Sequence, residues 1–225
     1  MKIPLSILAI VAVFLGLFYL LAPPPGPDAM QQRTDLPWQV SVEPDGTSRV
    51  FDLHLGRATL ADAMAKFGGV EGLAVFEPKQ GAMALEAFFG NVQFGPLQAK
   101  VIVRLDADEA ELATLRDTAT RREGSPSGDW KYRLADGPDV HRDRLLRGIS
   151  YIPGTRGLDA EFFRQRFGEP AAWLQESEQA VSWFYPEIGL SILIDSEARE
   201  VLEYRAPRDF VMPEAARTDR DAPAN

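Results

Sequence analysis

No cysteine occurs in this chain of 225 residues. That absence excludes disulfides, thiolate nucleophiles and cysteine-ligated zinc. It leaves the compartment open, because extracytoplasmic domains of this size fold without disulfides. Histidine is nearly missing as well, with only 2 residues, His54 and His141, far apart in sequence. A metal site needs several convergent ligands, so no metal is expected. Positive charge is in deficit: 24 Lys and Arg face 33 Asp and Glu, a formal charge of −9. Nucleic acid and anionic lipid would repel such a chain, and no nucleic-acid partner is expected.

The motif inventory is equally sparse. No G-x-S-x-G elbow, dinucleotide fingerprint or P-loop occurs, so no cofactor is implied. "GSPSG" (Gly124 to Gly128) has serines and glycines at the wrong spacing and reads as a loop. "HRDRLL" (His141 to Leu146) resembles a kinase catalytic loop, but the glycine-rich loop, strand lysine and DFG that a kinase needs are missing. It reads as an exposed charged turn of helix. Asp52 and His54 are expected on one strand face, and Asp139, His141 and Asp143 cluster locally, as solvated positions rather than ligands.

What the sequence does contain begins at its N-terminus. "MKIPLSILAIVAVFLGLFYLLAPPPG" has one lysine and then an uncharged run from Ile3 to Ala22. Roughly 20 helical residues span the ~30 Å hydrocarbon core. No Ala-x-Ala cleavage pattern precedes Pro23, so residues 1–22 are expected to form an uncleaved signal anchor. Lys2 and the amino terminus are the only positive charges before the span. Their bias predicts a single-pass protein of the inner membrane, N-terminus in the cytoplasm and the rest in the periplasm.

Residues 23–36 ("PPPGPDAMQQRTDL") predict an extended Pro-rich spacer, and 213–225 a disordered tail. Between them the expected class is α+β, with short helices packed on antiparallel sheet. It divides into a first unit over 37–136, including a following surface helix, and a second over 137–212. "RVFDLHLG" (Arg49 to Gly56) alternates like a half-buried strand. Thr59 caps a helix whose stripe is Leu60, Ala63, Met64 and Phe67, with Gly68 as its stop. "GLAVFEP", "MALEAFFGNVQF" and "QAKVIVRLD" follow as strands. Residues 106–123 carry acids first and Arg121 and Arg122 last, which predicts a surface helix, and "WKYRL" a short strand. Asp159 then caps "AEFFRQRF", with Phe163 and Phe167 inward, Gly168 as stop and Pro170 barring continuation. The strands "AAWLQES", "AVSWFYPE", "GLSILID" and "EVLEYRAP" complete the pattern.

Aligned on Phe67-Gly68 and Phe167-Gly168, both units run N-cap, helix, Phe-Gly stop, then antiparallel strands. This order predicts tandem helix-plus-meander units. The second, over Leu158 to Pro207, resembles the BamE/SmpA-type outer-membrane assembly lipoproteins and the related fold of beta-lactamase inhibitory protein. The residues that carry the likeness are "RFGEP", "WFYP", "GLSILID" and "EVLEY". The resemblance implies binding of other envelope proteins. No lipobox cysteine accompanies it, and it transfers no functional residue.

One further feature stands out: the aromatic set Trp173, Trp183, Phe184 and Tyr185. Packing against the protein's own core is the plain reading; an exposed partner-binding patch is the functional one. Glu86 and Glu187 are acids beside aromatics of the kind a glycan hydrolase would use. The expected function is therefore non-catalytic protein binding or an accessory role in the cell envelope. A membrane-tethered hydrolase acting on cell-wall or envelope substrates is the alternative.

Overall fold

Two helices start and stop on the same local chemistry. Thr59 caps α1 (Leu60–Phe67): its hydroxyl accepts from Asp62 N, and the Asp62 carboxylate accepts from Thr59 N. Asp159 caps α3 (Ala160–Phe167) by accepting from Phe162 N. Each helix ends on a glycine in one unusual conformation, Gly68 at φ 97°, ψ −157° and Gly168 at φ 79°, ψ −167°. Only glycine adopts that region without strain. No atom lies within 4 Å of a Cβ built at either position, so backbone geometry rather than space demands the residue. Gly168→Ala is therefore expected to cost ~1–3 kcal/mol in chemical denaturation. A change near zero would mean the turn has another way to close.

The structure is a computed structural model that describes residues 35–79, 81–125 and 128–218. The expected anchor, 1–22, and most of the spacer lie outside the described residues. Among the described residues no helix is long and apolar enough to cross a membrane. Those residues belong to one compact unit.

Each Gly stop releases the chain into a meander. After α1 come β4 (Gly72–Glu77), β5 (Ala84–Phe94) and β6 (Leu97–Leu105); after α3 come β10 (Ala172–Gln175), β11 (Ala180–Tyr185), β12 (Leu190–Asp195) and β13 (Val201–Arg205). With β7 (Arg121–Gly124), β8 (Trp130–Arg133) and β9 (Leu146–Pro153) they form one antiparallel sheet, ordered β10-β11-β12-β13-β9-β6-β5-β4-β8-β7. Both meanders run from outside inward and meet where β9 pairs with β13, Tyr151 opposite Leu202 and Gly148 opposite Arg205. Strand β9 joins the two halves; its apolar positions Ile149 and Tyr151 alternate, with Gly148 within it and Pro153 at its end.

Strand alternation sorts side chains to two faces. One face carries Val101, Val103, Tyr151, Trp183, Tyr185, Leu190, Ile192 and Leu202, all buried with Leu60, Ala63 and Phe67 of α1 and Ala160 and Phe163 of α3. The helices thus cover this face and leave the other without a helical layer.

Three local expectations change. "RVFDLHLG" is not one strand but a hairpin, β2 (Ser48–Val50) and β3 (Leu53–His54), after the short β1 (Ser41–Val42). Val50 pairs with Leu53, so Phe51 and Asp52 make a two-residue loop, both at positive φ (54° and 63°). Positive φ at both loop positions is the twist a tight hairpin needs, normally supplied by Asn-Gly. The reversal also removes Asp52 and His54 from a common strand face. The acidic helix is shorter than expected: α2 spans Glu109–Asp117, and Arg121 and Arg122 fall in β7. Its stripe buries only Leu112, too little to extend the helix against pairing of the Arg-rich end with β8. Finally, within the expected tail Arg217 exchanges both backbone hydrogen bonds with Trp173 on edge strand β10 (2.8 and 2.7 Å).

Candidate functional site

The four aromatics do not form an exposed patch. Trp173, Trp183, Phe184 and Tyr185 are all buried, Trp183 at 0% exposure. Trp183 and Tyr185 point under α3, where the Arg164 guanidinium sits 4.8 Å from the Trp183 ring and Phe167 packs 5.8 Å from Tyr185. The Tyr185 hydroxyl donates to Gly168 O at 3.1 Å and ties the helix stop to the sheet. Phe184 faces the other side and is covered by Phe210, 6.4 Å away, from the returning C-terminal segment. Alternation alone could not foresee that both faces of β11 are covered, because the covering segment follows β13.

That segment covers the β10–β12 end and reaches Arg205 of β13, 5.6 Å from the Phe210 ring. Over β5, β6 and β9 the face is open, and strand register fixes its order. One row reads Glu86, Arg104, Gly148, Arg205 and the next Phe88, Ile102, Ser150, Glu203. Phe88, Ile102 and Ile152 are half-buried and make an apolar stripe. Lys131, 5.8 Å over the Phe88 ring, Lys100 and Arg104 flank it. The flanks of the stripe are basic, while Glu86 and Glu203 lie on the same face and Asp106 and Asp209 line its far side. Its floor at Gly148 is flat because a Cβ there would meet Tyr204 O at 2.9 Å and Arg104 Cβ at 3.9 Å. A cavity of about 330 Å³ opens above it between Arg104, Arg147 and Arg205. Arg147 pairs with Asp106 at 2.9 Å and Arg205 with Glu203 at 3.2 Å.

Burial holds the Glu86 carboxyl above its usual range; Arg104 opposes that shift and Glu203 adds to it. Asp106, Glu203 and Asp209 line the cavity, each ion-paired to an arginine. Glu86 and Glu203 stand three strands apart, about 14 Å at ~4.8 Å per step. Glycosidase pairs need roughly 5–9.5 Å. Glu187 lies exposed on a turn and joins neither.

Two other constellations need weighing. Thr47, fully buried, bonds through its hydroxyl to both Asp45 and His54 Nε2. Hydrogen bonds from Thr47 and Arg57 hold Asp45 well below the usual carboxylate range, so it accepts the one hydroxyl proton and His54 Nε2 must donate. A base that activates a hydroxyl must accept from it, so the polarity is reversed for nucleophilic catalysis. His141 is buried in a short 3-10 turn rather than exposed, and its Nδ1 accepts from Arg144 Nε at 3.1 Å. Burial and the Arg144 charge both lower its proton affinity. Among the described residues no three His, Asp or Glu side chains gather closely enough to hold a metal ion.

No protein-family model, curated protein or solved structure matches the chain.

Proposed function

We propose that this is a single-pass, membrane-anchored envelope protein whose extracytoplasmic domain docks a protein partner on the open sheet face over β5, β6 and β9. The observation that carries the reading is the stripe of Phe88, Ile102 and Ile152 flanked by Lys100, Arg104 and Lys131. An apolar centre with a charged rim is the anatomy of a protein interface. The Lys100, Arg104 and Lys131 flanks favour an acidic partner segment, since complementary charge sets orientation and association rate. The resemblance of the second unit to envelope assembly and inhibitory proteins agrees with a binding role. The hydrolase alternative is less well supported, because the acids that share the cavity, Asp106, Glu203 and Asp209, are each ion-paired to an arginine and Glu86 stands apart from them.

Crosslinking in native membranes tests the reading. A photoreactive residue at Ile102 is expected to capture one envelope protein. Arg104→Glu with Lys131→Glu should reduce that capture at least tenfold, and Lys79→Glu, off the face, should leave it intact. Equal capture by all three forms would overturn the docking site. A reporter fused after Asn225 that is active only in the cytoplasm would overturn the orientation.

A further inference from the structure

On the helix-covered side, a second cavity of about 340 Å³ has a different character. Its walls come from Trp38, Tyr151, Leu158, Phe162, Phe163 and Leu202, and no acidic residue among the described residues lines it. The Trp38 ring meets Phe162 edge-on at 6.1 Å, and the Arg166 guanidinium lies 4.8 Å from the one ring and 5.2 Å from the other. Arg166 has no carboxylate partner among the described residues. The second polar feature is the Tyr151 hydroxyl. Tyr151 is 3% exposed and lines the cavity, yet its hydroxyl has no hydrogen-bond partner among the described residues. The neighbouring Tyr204 hydroxyl donates to Pro37 O at 2.7 Å. Tyrosine hydroxyls beside apolar surface ordinarily find a partner, and a ligand in the cavity that Tyr151 lines could supply one.

The volume is in the range of small-molecule sites, and apolar walls with a few placed polar groups are their usual make-up. At about 30 Å³ for each water-sized unit it holds roughly ten heavy atoms. We propose that this cavity binds a short alkyl carboxylate, with its chain against the aromatic walls and its head accepting from the Tyr151 hydroxyl beside the Arg166 charge. This site is separate from the docking face and does not depend on it.

The test is calorimetric titration of the full chain in lipid nanodiscs with octanoate, octylammonium and 1-octanol, with empty-disc heats subtracted. Octanoate should bind saturably and at least tenfold more tightly than octylammonium. Arg166→Gln, an exposed helix position, should remove that preference while leaving 1-octanol binding unchanged. Tyr151→Phe deletes only an unpartnered hydroxyl, so the fold should survive, and octanoate and 1-octanol should each weaken about fivefold. Absence of saturable octanoate binding to the wild type, equal affinity for octylammonium, or full binding by both variants would overturn the proposal.

Discussion

Phe51→Ala is expected to lower the stability of the domain by ~3–5 kcal/mol, the range for removing a buried aromatic side chain. Phe51 has 0% exposure although it sits in a two-residue loop, a place usually given to small polar residues. Its ring touches four others: Phe67 of α1, Phe94 of β5, Tyr151 of β9 and Tyr204 of β13, at centroid distances of 5.9, 5.1, 5.6 and 5.7 Å. The loop tip therefore acts as a plug that joins both halves of the sheet to the first helix. A positive φ on a bulky residue costs roughly 1–2 kcal/mol, and the burial of the ring offsets it. Alanine keeps the backbone strain and loses the ring, so nothing compensates. At about 2–4 °C per kcal/mol for a domain of this size, the melting temperature should fall by roughly 6–20 °C. Asp52→Gly is the control: it relieves the second positive φ and gives up a partly exposed ion pair with Lys66, which keeps its second partner Asp35, so it should be nearly neutral. A Phe51→Ala change no larger than that of the control would mean that the plug does not hold the core.

The same hairpin shows where sequence reading stops. "RVFDLHLG" has the alternation of a strand, and the strand reading is correct for residues on either side of the turn. The turn itself was hidden because neither Phe51 nor Asp52 is a turn signal as strong as Asn-Gly; its cause is tertiary, a ring with four aromatic neighbours. The two Phe-Gly stops were legible because their chemistry is local: a cap, an inward stripe and a glycine within ten residues. So were the meanders, whose alternation carries the core face directly. The open face was not legible. Glu86 and Arg104 are eighteen positions apart, and only the β5–β6 register sets them side by side. Arg205 and Gly148 meet only across the central strand pair that joins the halves.

Trp183→Ala is the second large effect, and it separates two uses of an aromatic. Trp183 lies in the middle of β11, with Ile192 opposite on β12 and Trp173 opposite on β10. The cavity left by alanine should cost ~3–5 kcal/mol. Its indole Nε1 is buried with no hydrogen-bond partner among the described residues. Desolvating such a donor is unfavourable by about 1–3 kcal/mol, and Trp183→Phe removes that penalty while it keeps most of the ring. Phenylalanine should therefore recover most of the stability that alanine loses, a result a hydrogen-bonding or partner-contacting indole would not give. Urea denaturation of the two variants reads the difference. If alanine left stability unchanged and weakened only partner capture, the ring would belong to an interface. If phenylalanine were as damaging as alanine, the indole nitrogen would have a partner in the folded protein. The expected order, with alanine far below phenylalanine and phenylalanine close to the natural residue, follows from a side chain whose work is to fill the space beneath α3.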